Sequence, residues 1–166
     1  FKGPDGQPFF EHDYNYGFIM NIDWMRPFKH RQTSVGVIYL AFCNLPRSIR
    51  YNFQNIIVAG IIPSMDHVDE KGKVSYEPKN MNPFLKKLVD DFQQFWFPGR
   101  ILHTANYPAG IRVRAALICS AADSPAARKT CGFLAHSANY GCPKCYKVFP
   151  GGVGNKNYGG FDLNRT

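Results

Sequence analysis

The chain has 166 residues, with 20 Lys and Arg against 12 Asp and Glu for a formal charge of +8, and 45% apolar and 15% aromatic side chains. That composition excludes extended disorder, and no run of about eighteen apolar residues is present to cross a membrane. The length suits one ordinary domain able to bury a real core. No charged start followed by an apolar stretch opens the chain, so no signal peptide is expected. It begins at Phe1 rather than Met, as expected of a piece of something longer.

Residues 1–16, rich in Gly, Pro and Asp, read as a loop or an edge hairpin. Three strands are expected next: Gly17–Trp24, Ser34–Phe42 and Asn55–Ile62, the last stopped by Pro63. Short links suit an antiparallel meander, and the unbroken apolar runs predict a sheet covered on both faces. Residues 63–80 are a charged loop without apolar period. A helix is expected from Asn82, as N-cap, with Pro83 first inside it, to about Trp96. Its apolar face carries Phe84, Leu85, Leu88, Val89, Phe92, Phe95 and Trp96, opposite Lys86, Lys87, Asp90, Asp91 and Gln94. A fourth strand is expected over Ile111–Ala121 and a second helix over Ala126–Phe133, with Ser124 or Asp123 as its cap. From His136 onwards the chain is turn-rich. The order β-β-β-α-β-α, with a right-handed crossover, lays the fourth strand parallel beside the first. By analogy of element order this is the front portion of a ribonuclease H-like α/β fold. The expected division is an edge segment over 1–16, the ribonuclease H-like part over 17–135 and a Cys- and Gly-rich, zinc-knuckle-like segment over 136–166.

Charge is unevenly spread: residues 1–96 hold 11 basic and 10 acidic side chains, residues 97–166 hold 9 and 2. A basic half favours a polyanionic partner such as nucleic acid, or an acidic membrane surface; a soluble protein of high pI is the plainer reading. Cys131, Cys142 and Cys145 cluster, whereas Cys43 and Cys119 lie in apolar runs. Buried thiols plus a metal site fit this better than a disulfide framework.

Three constellations could carry chemistry. Asp23 ends one apolar strand and Asp123 lies just past another, so parallel neighbours would bring both carboxylates to one sheet edge. Such a pair repels itself unless a hard cation such as Mg²⁺ lies between. A turn role for Asp23 and a cap role for Asp123 remain the commoner uses of Asp. Second, Cys142 and Cys145 in C-P-K-C suit half of a tetrahedral zinc site, with Cys131 and His136 as open further ligands; a redox-active pair is the alternative, though no thioredoxin-type strand precedes it. A small buried thiol at Cys131 and a loop-bonded His136 are the alternatives. Third, Arg26, Lys29, His30 and Arg31 follow Asp23, and Arg128 and Lys129 follow Asp123; with Lys144 these are candidate contacts to a DNA backbone, or simply solvated charge.

The strings NIDWMRPFKH, SVGVIYLAFCNLPRSIR, NIIVAGIIP and RAALICSAADSPAARKTCGFLAHSANYGCPKC, with the closing YGGFDLNRT, resemble the transposase domain of CACTA (En/Spm-like) DNA transposons. The resemblance runs from about Gly17 onwards. Its most specific parts are the Asp-x-Pro-Ala-x-x-Lys-x-x-Gly-Phe block at 123–133 and Gly-Cys-x-x-Cys at 141–145. It implies a DDE/D-type enzyme of the nucleus, on a ribonuclease H-like fold. Asp23 and Asp123 match the first two catalytic acids, holding Mg²⁺ or Mn²⁺, with Asp23 bridging two ions and Asp123 holding one. It implies phosphoryl transfer in which a transposon end is nicked and the freed 3′-hydroxyl attacks target DNA, within a self-associated complex. The third acid is expected downstream of Thr166; Asp162 is a poor substitute. Cys142 and Cys145 match a zinc-binding pair whose partners are expected later in the chain. The 166 residues alone are therefore expected to be inactive. A transposon-derived DNA- or zinc-binding protein without catalysis is the alternative, and a free-standing zinc ribbon a weaker one.

Overall fold

The computed structural model describes residues 1–30, 32–68, 72, 74–133, 138–140, 147–151 and 155. Strand β1 (Asn15–Met25) is central because its sequence alternates: Met20 and Ile22 point into the core, and Asn21 and Asp23 fall on the other face. Strand β2 (Val35–Phe42) pairs antiparallel with β1 from Phe18 opposite Phe42 to Met25 opposite Val35. A short helix α1 (Arg47–Arg50) and a 3₁₀ turn at Phe53–Asn55 lead into β3 (Ile56–Ile62). Strand β3 runs antiparallel to β2, with a register shift between Ile38 and Tyr39. The expected meander is therefore present, and β1 begins two residues earlier than the apolar pattern suggested.

The charged segment after Pro63 holds a two-residue hairpin, β4 (His67–Val68) with β5 (Val74–Ser75). Helix α2 (Asn82–Trp96) has the expected bounds but a different cap. Asn82 is already helical, and its N–H donates to the Asn80 side chain at 2.9 Å; Met81 occupies the cap position without a side-chain bond. Beyond the helix the structure adds an element absent from the expected order. Strand β6 (Arg100–Thr104) forms a hairpin with β7 (Tyr107–Ser120), which starts four residues before the expected Ile111. Every residue of β6 is exposed, so it has no buried apolar stripe to betray it in sequence. Helix α3 (Ser124–Thr130) closes the order and stops three residues short of Phe133.

The sheet order is β3-β2-β1-β7-β6. Strand β7 lies parallel to β1 and the other neighbours are antiparallel, so the crossover through α2 does bring the last long strand beside the first. The protein is thus an α/β molecule built on a mixed five-stranded sheet. Its core joins Met20, Ile22, Ile38, Leu40 and Ile62 of the sheet to Met81 and to Leu85 of α2, ringed by Phe18, Trp24, Phe84, Leu88 and Phe92. Gly36 makes room for Trp24: a Cβ there would lie 3.0 Å from the indole ring.

Two expectations fail against this packing. The sheet is not covered on both faces among the described residues: Val58 and Ile61 of β3, opposite Tyr39 and Val37, are exposed on the face away from α2, because the one long helix packs on the Leu40 side. Nor are the thiols outside the zinc-like cluster buried. Cys119 is exposed and Cys43 is half-buried, since both lie at strand ends rather than mid-core.

Candidate functional site

The geometry of the site begins with the parallel ladder. Met20 of β1 pairs with Ser120 of β7, and the Ala121 N–H donates to the Met20 carbonyl at 2.8 Å. Asp23 and Asp123 each lie three residues past that last ladder pair. Both acids thus lie past the parallel ladder, Asp23 still within β1 beside Val37 of β2 and Asp123 beyond the end of β7 as the cap of α3. Both residues are exposed.

Asn21 fastens the edge. Its side-chain N–H donates to the Ala121 carbonyl at 2.5 Å, so the last turn of chain before Asp123 is tied to the strand that carries Asp23. Asn21 was not among the residues singled out in sequence. A polar residue alternating with Asp23 inside an otherwise apolar strand was the available signal, since a strand places residues two apart on one face.

Each carboxylate spends one oxygen on the backbone. Oδ1 of Asp23 accepts from the Trp24 N–H at 2.9 Å. Oδ1 of Asp123 accepts from the Ala126 N–H at 2.8 Å, capping α3. The cap role and a metal role are compatible, because one bond to the backbone fixes the carboxylate while its second oxygen has no hydrogen-bond partner among the described residues. Hard divalent cations take such oxygen donors, typically with several waters retained. Two acids alone make an incomplete ligand set, and no group of three or more His, Cys, Asp or Glu able to hold a metal occurs among the described residues.

A second fastening holds the elements that bear the acids. Lys129 of α3 sits with Nζ 4.9 Å from the centre of the Trp24 ring, next to Asp23, and 2.9 Å from Oε2 of Glu77. A partly shielded cation over an indole contributes about 0.5–2 kcal/mol. Lys129, a candidate DNA contact by sequence, is thus engaged within the molecule: it links α3, β1 and the segment before α2. Neither Trp24 nor Glu77 was read as its partner, because the pairing spans sequence separations that no local pattern reports.

The other candidates divide. Arg26 and Lys29 are exposed beyond the end of β1, beside His30 and Phe28, and Arg128 is half-buried on α3. Arg31, Lys144, His136, Cys142, Cys145 and Asp162 lie outside the described residues. Cys131 is described: it follows α3 as an exposed free thiol at the C-cap, not as a buried helical residue. Beside the acids, an open groove of about 700 Å³ runs from Asn21 and Ala121 across Tyr39 and Val58 to Tyr51 and Phe53. No protein-family model, curated protein or solved structure matches the chain.

Proposed function

We propose that the chain is the front part of a DDE/D-type transposase catalytic core of the CACTA class, built on a ribonuclease H-like fold and acting on DNA with Mg²⁺ or Mn²⁺. The observation that carries this reading is that Asp23, on β1, and Asp123, beyond the end of the parallel neighbour β7, lie equally far past the last β1–β7 ladder pair. The strand order supports it too: an antiparallel meander is followed by α2 and, after the added edge strand β6, by a strand parallel to the first.

Asp23 and Asp123 are the residues that would hold the metal. When bound, a divalent ion supplies charge stabilisation to a phosphodiester undergoing displacement. The chain's own contribution is positioning: Asn21 holds the two strand ends together, the Trp24 and Ala126 N–H groups orient the carboxylates, and Lys129 keeps α3 on β1. Arg26 and Lys29 extend from the same edge toward a phosphate backbone, contributing affinity without sequence readout. The C-P-K-C pair belongs in this reading to a zinc module completed by residues later in the parent protein, which acts in the nucleus as a self-associated complex.

The test is Mn²⁺ titration followed by paramagnetic broadening of backbone amide signals. Broadening should centre on Asn21–Trp24 and Ala121–Asp123, and Asp23→Asn or Asp123→Asn should weaken binding on the order of tenfold, or about 1.4 kcal/mol. Broadening elsewhere, or binding indifferent to both substitutions, would sink the catalytic reading; DNA binding retained in that case would favour a non-catalytic transposon-derived binder.

A further inference from the structure

We infer that β3 is a self-association edge, and that two copies of this chain pair antiparallel along Ile56–Ile62 to continue the sheet from one molecule into the other. This does not rest on the transposase reading.

Strand β3 ends the five-stranded sheet, so its outer row of N–H and C=O groups has no strand partner among the described residues. Folded proteins guard such edges with charges, proline, cover or short length. Here the strand is seven residues long, contains neither charge nor proline, and exposes Ile57, Val58 and Ile61 at 40%, 57% and 67%. Its one protective feature is the irregularity opposite Ile38 and Tyr39. The flanks extend the same character. Phe53 just before it is 94% exposed and Tyr51 57%, and Met65 after it 46%.

Charge selects the occupant. No charged residue occurs between Arg50 and Asp66, in a chain that carries +8 overall. A polyanion would need Lys or Arg here and finds none. Two copies of a basic protein repel over most of their surfaces, and they approach at least cost where neither presents charge. Because every residue of Ile56–Ile62 is uncharged and apolar, the symmetric antiparallel pairing of Ile56 opposite Ile62 sets neither a charge nor a proline against the partner strand. Exposed isoleucine and valine then meet across the junction, the pairing that stabilises adjoining strands.

Sedimentation equilibrium of the 166-residue chain tests this, comparing wild type with Val58→Lys, Ile61→Lys and Val68→Lys. Val58, Ile61 and Val68 are all more than half exposed, so a lysine at each is compatible with folding, which circular dichroism checks. The expected result is a concentration-dependent dimer, weakened at least tenfold by Val58→Lys and Ile61→Lys and untouched by Val68→Lys. Hydrogen exchange at amides 56–62 should slow as protein concentration rises. A wild-type monomer at high micromolar concentration, with those amides either exchanging freely or protected at every concentration, overturns the proposal; the protected case would mean that another part of the same chain covers the edge. A dimer indifferent to both β3 lysines also overturns it.

Discussion

The cap that Asp123 provides and the metal role proposed for it separate by substitution. Its side chain caps α3 through the Ala126 N–H, and its charge is what a cation would use. Asp123→Ala removes both and should lower stability by about 1 kcal/mol; Asp123→Asn caps nearly as well and should leave the urea midpoint close to wild type while still losing metal affinity. Equal stability loss in the two variants would show that the cap contributes nothing. Asp5 offers a titration with a definite sign. The Gln7 backbone N–H, followed by the Arg114 guanidinium, holds its carboxyl below the ordinary 3.8, against a smaller opposing effect of burial. The Asp5–Arg114 contact of 2.9 Å is therefore fully present above that ordinary value and is lost as pH falls through the lowered one. A carboxyl carbon titration of Asp5 should show a midpoint below 3.8, moving part of the way back in Arg114→Met because the Gln7 bond survives. The same guanidinium lies 5.2 Å over Phe9 and donates to the Trp96 carbonyl, so one side chain gathers the first residues onto β7 and the end of α2.

At the scale of elements, α2 shows how a correct periodic pattern still misjudges individual residues. Leu85 and Val89 share the apolar face by spacing, yet Leu85 is 9% exposed and Val89 44%. Leu85→Ala should cost about 2–5 kcal/mol, by lost transfer energy and a residual cavity. Val89→Ala should stay within about 0.5 kcal/mol, as surface changes do. Chemical denaturation of both variants measures the difference, and equal losses would contradict the packing described. The polar face is as the sequence implies: Lys86–Asp90 and Lys87–Asp91 pair at 2.6 and 2.8 Å along the helix. Such exposed pairs contribute only a few tenths of a kcal/mol, so α2 is held by its apolar side. Its ends were legible from Pro83 and Pro98–Gly99, but the cap was not, because Asn80, Asn82 and the intervening Met81 offer two equally plausible polar starts.

Across the whole molecule, the surplus of positive charge has to be sorted into cations that face solvent and cations already committed. Arg114 and Lys129 are committed, each to a carboxylate and to aromatic rings. Arg26 and Lys29 are exposed beyond the end of β1. If the chain binds DNA as proposed, the salt dependence of that binding distinguishes the two groups. Arg26→Glu and Lys29→Glu should each reduce the slope of log affinity on log salt by about 1. Lys129→Met should leave the slope alone and lower stability by about 0.5–2 kcal/mol through the lost cation–aromatic contact. An unchanged slope in the Arg26 and Lys29 variants would remove them from any DNA path.

Taken by itself, the sequence determined the meander, the long amphipathic helix, the parallel return strand and the places of Asp23 and Asp123 three residues past the last β1–β7 ladder pair. These follow from local rules: apolar period, proline and glycine punctuation, and the fixed hand of a crossover between parallel strands. Tertiary structure alone decided the rest. Strand β6 owes its existence to a ladder with β7 rather than to any buried stripe of its own. Lys129 found Trp24 and Glu77 across the chain, and Asn21 found Ala121, because side-chain partners are set by which elements pack together. The bareness of β3 likewise could not be read from its apolar run. That run says the strand avoids water, and only the finished sheet shows that its outer edge has no strand partner among the described residues.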